Sequence, residues 1–243
     1  MSNEFMADTD FPKIAWQGYR DTRAIKPSAF VIWTDGGYNP ALPGDFINHG
    51  TECFKPDELA KLDKPLIEHE FRWWSSYPDI RLAAQYESGA VRPYAAEIAR
   101  AAAREHGQEH LLETYAENSQ QLQFIEAKAK MEACRRVNTH LAGICHFNAM
   151  DANPSPQGII NEFYEHKLTS ARTWLQTNGD TVLLADLNFD NRVLVSGGNF
   201  TCRLSVSDFS HPPLKKGRLQ WRLRIGAQEK AAGALDWAHT PFT

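Results

Sequence analysis

Lys64-Pro65-Leu66-Ile67-Glu68-His69-Glu70-Phe71-Arg72-Trp73-Trp74-Ser75-Ser76-Tyr77-Pro78-Asp79-Ile80 is the stretch whose reading decides the rest of the chain. Pro65 lacks an N–H and confines Lys64 to extended geometry, so whatever precedes this point stops here. Leu66 and Ile67 then open a short apolar run of the kind found in strands covered on both faces. The run ends in Glu68-His69-Glu70, followed by two tryptophans, a tyrosine and a Pro-Asp turn. A buried strand that delivers an acid at its carboxyl end, into a rim of aromatics, is how α/β barrels build active sites. Aromatic faces beside a carboxylate suit a sugar, whose C–H faces stack on rings while its hydroxyls need polar partners.

The segments around this strand alternate between helix and strand. "PKIAWQGYRDTRAI" (12–25) is amphipathic, and "AFVIWTD" (29–35) is a β-branched and aromatic strand closed by Asp35-Gly36-Gly37. A long Gly-, Pro- and Asn-rich loop follows through Tyr38, and loops of this length in a compact domain usually carry function. "PDELAKLD" (56–63) reads as a two-turn helix with Pro56 at its start. From Pro93 to Val137 runs helix after helix with a break at Gly107, the apolar positions recurring at near-helical spacing. "HLAGICHFNAMD" (140–151) is a further buried strand, emptying into a Pro-rich loop and then a helical segment from Gly158 through Trp174. Strands alternating with helices predict parallel strands under a helical cover. After Asn178-Gly179-Asp180 the period switches to two, cut by Asp-Asn, Gly-Gly and Pro-Pro turns. That predicts an antiparallel β-sandwich in part, short of the roughly 100 residues of a complete Ig-like one. The expected division is therefore 1–178 and 179–243.

"KPLIEHE", six residues, then "YPDI" resembles the seventh strand and following loop of glycoside hydrolase family 2, in its β-galactosidase-like branch. The resemblance extends from about residue 12 to about residue 210. "LAGICHFNAMDANPSPQGIINEF" is similar to the family's strand-eight segment. Arg72-Trp73-Trp74 departs from the family's Gly-Gln-Tyr, and the rim tryptophan usual after strand eight is not evident. The resemblance implies the C-terminal portion of a TIM (β/α)8 barrel, strands six to eight, followed by a partial antiparallel β-sandwich. It also implies retaining hydrolysis of O-glycosidic bonds, with Glu70 as the nucleophile.

Such hydrolysis divides its work between two carboxyls about 5–5.5 Å apart. The family's acid/base follows an asparagine at the end of strand four, and this chain would begin after that strand. The acid is then absent from this polypeptide or comes from a partner. Glu68, two residues from Glu70 and so on the same strand face, is not taken as the missing acid. His69 is either a donor to a substrate hydroxyl or a satisfied wall residue. Trp73 and Trp74 either stack on sugar or pack under the loop. Asp35 and Tyr38 after strand six, and His146, Asn148 and Asp151 after strand eight, complete the candidate set, since loops at strand carboxyl ends carry function.

Composition narrows the rest. With 42% hydrophobic and 23% charged residues the chain is globular, and a net charge of −4 without a basic stripe gives no reason to expect nucleic acid. No apolar run approaches the roughly 20 residues that span a bilayer, and the N-terminus lacks the pattern of a signal peptide. Cytoplasmic is the default expectation, open to change if the chain is part of a secreted protein. Cys53, Cys134, Cys145 and Cys202 lie apart and read as reduced thiols. His106 and His110 have i, i+4 spacing on a helix face but no third ligand, so no metal is expected, and no cofactor. The partners expected are a carbohydrate substrate and, over open barrel edges, a second copy or another chain. Two rival readings stand beside the glycosidase: a non-catalytic carbohydrate-binding or assembly module, and a truncated reading frame without function.

Overall fold

A computed structural model describes residues 10–33, 38–50, 55–71, 74–86, 89–137, 140–187 and 193–238. Within them no helix is long and apolar enough to cross a membrane. The chain divides into two compact units, Met1–Trp174 and Leu175–Thr243.

Helix α1 (Phe11–Ile25) carries Pro12 in its first turn and stops before Pro27, which disfavours helical geometry at Lys26. It buries Phe11 and Ala15 against Leu42 and Trp33. Asp45 fastens this corner: its carboxylate accepts from Tyr19 Oη (2.8 Å), Arg23 Nη2 (2.5 Å) and the Val31 amide (2.7 Å).

Three parallel strands follow, β1 (Ile47–Asn48), β2 (Leu66–Phe71) and β3 (Leu141–His146), with β2 in the middle. Leu66 pairs with Ile47 on one side and Leu141 on the other, and it is fully buried with Ile47 and Leu62. The single turn α2 (Pro56–Leu59) leads into β2. The crossover from β2 to β3 holds α3 (Tyr94–Glu105) and α4 (Leu112–Val137), parted by Gly107 at φ +66°. Because the chain breaks there, His106 and His110 do not share one helix face. α3 turns its alanines 99 and 103 toward Leu112, Tyr77 and Ile80. α4 packs Ala127, Met131 and Cys134 on Trp174 of α5 (Ala171–Asn178), with Trp74, Phe124, Leu141 and Ile144 around them.

The barrel expectation is corrected here. The parallel strands form an open three-stranded sheet, and among the described residues no strand closes β1 onto β3. Residues 29–33, read as barrel strand six, make only an antiparallel bridge from Ile32 to Gly44, and Phe30 is 84% exposed. Closure needs a staggered ring of strands, about eight in the smallest filled barrels, and three cannot supply it. Residues 158–168 are also not helical. Asn161 Oδ1 accepts from the Phe163 and Glu165 amides (2.9 Å each), a local turn that takes backbone donors a helix would need.

The second unit is corrected as well. Strands β4 (Thr181–Ala185) and β5 (Leu204–Asp208) form one antiparallel pair, and β6 (Lys216–Ile225) and β7 (Gln228–Ala238) another. Leu183, Leu204, Val206, Leu219, Leu235 and Trp237 line a gap of about 400 Å³. That gap is open to solvent, and Leu183, Trp221, Leu223, Ile225 and Leu235 are 38–66% exposed, so the two ladders do not enclose a sandwich core. Asp208 organises the turn after β5, accepting from Thr181 Oγ1 (2.7 Å) and the Ser210 and Leu214 amides. Those bonds, Thr181's first, hold its carboxyl below the usual range.

Candidate functional site

Glu70 stands at the carboxyl end of the central parallel strand. Glu68 pairs with Ile144 and Phe71 with His146, so β2 has one more residue than β3 over this span, a bulge. The slack is taken up at Glu70, whose φ is +42°. A non-glycine residue there costs roughly 1–2 kcal/mol. The bulge also separates the two glutamates that strict alternation would put on one face. Glu68 is 1% exposed, whereas Glu70 is half-buried. At the end of β3, the His146 ring meets Trp174 edge-on at 5.8 Å. Burial first, then the charge of Lys167, lowers its pKa to about 4, so it is a neutral imidazole at pH 7.

A second feature opens where the chain leaves β2 and β3. A cleft of about 160 Å³ lies between residues 76–86 and 151–168, with Pro93, Ala95, Ala96 and Gln120 completing its wall. At its base Lys167 Nζ bonds Asp151 Oδ1 (2.7 Å), Ser76 Oγ (3.1 Å), Gln123 Oε1 and the Pro156 carbonyl (3.4 Å each). Both charged side chains are almost wholly enclosed, at 4% and 6% exposure. Asp151 Oδ1 also accepts from the Gly158 amide (2.6 Å). Gly158 has no room for a side chain, since a Cβ would lie 2.1 Å from the Met150 carbonyl carbon. Burial pushes the Asp151 carboxyl up to about 6 against the pull of Lys167, and burial lowers the Lys167 ammonium.

Nearer the mouth, Tyr86 Oη donates to Glu162 Oε1 (2.8 Å), and its ring is held edge-on by Phe163 at 5.0 Å. Burial, then Glu162, raises the Tyr86 phenol above its ordinary value. Asp79 accepts two bonds from the Arg81 guanidinium (2.8 and 2.7 Å) and one from the Arg81 amide (3.1 Å), and the guanidinium reaches on to Glu117 (3.1 Å). Burial draws Asp79 upward, but the Arg81 bonds outweigh it and leave its pKa lowered.

The candidate residues from sequence do not all meet. Asp151 belongs to the cleft base. Glu70 and half-buried His69 lie at the end of β2 and are not among the residues lining the cleft. Trp74 packs with α4 and Trp174, and its carbonyl accepts from Gln123 Nε2, so it is a core contact. Tyr38 lines a small cavity with Ile47 of β1 and with Asp63 and Lys64, which lead into β2 at the opposite end of that strand from Glu70. Asn148 enters through its backbone, its carbonyl accepting from the Ile159 amide (3.3 Å). Asp35 and Trp73 lie outside the described residues. Ser76, Tyr86 and Lys167 carry no signal of their own in the sequence. Asn161-Glu162 reads there as part of a helix and so not as an acid at a strand end, although residues 158–168 are not helical and Glu162 lines the cleft. Tyr77-Pro78-Asp79 did flag a turn beside Ser76, but a lone lysine in a presumed helix carries no signal. Among the described residues no group of three His, Cys, Asp or Glu is placed to hold a metal ion.

No protein-family model matches the chain, and no curated protein matches it.

Proposed function

We propose that this protein acts on carbohydrates as a retaining glycoside hydrolase with β-galactosidase-like chemistry, Glu70 being its nucleophile. One observation carries the reading. The acid singled out by the sequence stands at the carboxyl end of the central parallel strand, in a backbone conformation that costs free energy. In open α/β sheets ligands bind outside the carboxyl ends of the strands, and strained non-glycine residues cluster at working sites. In the proposed reaction a Glu70 carboxylate oxygen bonds to the anomeric carbon as the glycosidic C–O bond breaks. The leaving oxygen takes its proton from a second carboxyl acting as general acid. Water then attacks the same carbon, releasing Glu70 and giving up a proton to base.

An activated 2-deoxy-2-fluoro galactoside with a dinitrophenolate leaving group tests this, since that group departs without protonation. Intact-mass measurement and peptide mapping should find the glycosyl label on Glu70, and Glu70→Gln should abolish it. A label elsewhere, or none, ends the proposal. The binding-module reading has one observation in its favour: the charged groups of the cleft are already paired with each other, which suits recognition better than proton transfer. Sugar binding without labelling would select it.

A further inference from the structure

We infer that the cleft between residues 76–86 and 151–168 binds a single neutral, hydroxyl-rich ring, a monosaccharide. Size sets the first limit. Sites for drug-sized ligands run roughly 300–1,000 Å³, so about 160 Å³ admits one ring. Charge sets the second. Asp79, Asp151 and Glu162 face Arg81 and Lys167, so the lining carries no cationic excess for an anion. Each charged group named already has a partner, except that Tyr86 meets Glu162 as a neutral donor.

A charged ligand would have to break an ion pair and leave its partner uncompensated, which is costly away from water. A hydroxyl donates and accepts at once, so it inserts between Tyr86 and Glu162 and leaves neither unmatched. The base is not available to ligand, because Lys167 has four acceptors for three donors. It serves as a fixed floor. Tyr77 and Tyr86 are held by edge contacts from Tyr115 and Phe163, giving the walls ring surface that does not have to be ordered on binding. Choosing a sugar as the occupant rests on the proposed carbohydrate function; the polar geometry stands apart from it.

The test is a titration of the full ¹⁵N-labelled chain with galactose, up to roughly 50 mM, a range that saturates millimolar binding. Amides of residues 76–86 and 161–168 should shift together, and inorganic sulfate should move none of them. Tyr86→Phe and Glu162→Gln should each weaken the response about tenfold or more, as loss of a hydrogen bond to a charged group does. Unchanged amide positions elsewhere show that each variant is folded, and either variant suffices if the other is not. Shifts absent from the cleft, shifts with sulfate, or shifts indifferent to both substitutions overturn the inference. Labelling of Glu70 without cleft shifts would defeat the cleft and keep the nucleophile. Cleft shifts without labelling would do the reverse.

Discussion

The Glu70 corner, at the end of β2, and the Lys167 base, in the segment that follows β3, are held in opposite ways. At Glu70 the cost sits in the backbone: a bulge and a positive φ, with the side chain left half-buried. At Lys167 the polar atoms are enclosed and saturated, tying the segments after β2 and β3 to α4. Backbone strain at a half-exposed carboxylate suits the nucleophile proposed above, whereas a buried and satisfied network suits a group that positions others. The contrast can be broken by substitution.

The largest effect belongs to the buried pair. Lys167→Met should cost about 3–5 kcal/mol in urea unfolding, because Asp151 is left as an uncompensated buried acid. Adding Asp151→Asn should recover part of that loss. A cost under about 1 kcal/mol would show that the pair does not hold the cleft together.

Next comes pH. Asp151 has a folded pKa of about 6 against an ordinary 3.8, so the native state keeps its proton while the unfolded chain loses it. Its stabilising contribution is full below pH 3.8 and disappears as pH rises through 6. His146 has a folded pKa of about 4 against 6.5, so here the unfolded chain holds the extra proton. Its contribution is full above 6.5 and lost as pH falls through 4. Between pH 4 and 6 the two slopes oppose each other. His146→Phe should expose the Asp151 slope, with stability falling by about 2–3 kcal/mol from pH 4 to 6. Thermal melts across that window check it, and a rising curve would contradict the assignment.

The smallest effect is the most telling about Glu70. Glu70→Gly relieves the left-handed strain but adds chain entropy to the unfolded state, for a net gain of about 0.5–1 kcal/mol. Glycosyl labelling should vanish in the same protein. A variant that is destabilised instead would mean that the glutamate side chain supports the fold.

Much of this was legible in the chain. Pro65 and the run from Leu66 mark β2 because proline geometry and apolar clustering are local facts, and Glu70 is the last residue but one of that strand. The break at Gly107 and the long helices around it are equally local. Where the sequence misled, short-range preference had lost to something longer or finer. Residues 29–33 have the composition of a buried strand, but a strand needs neighbours in register, and the sheet begins at Ile47 instead. Residues 158–168 look helical until Asn161 claims the amides of Phe163 and Glu165.

The sequence by itself determined a central strand, the acid at its end and a helical crossover, since each follows from periodicity and from proline or glycine stereochemistry. Only the tertiary structure decided that the sheet stays open, that a bulge with a positive φ at Glu70 interrupts the alternation from Glu68, and that Lys167 lies buried on Asp151. Burial and partnership are properties of residues 16 to 91 positions apart. No pattern read along the chain contains the distance between them.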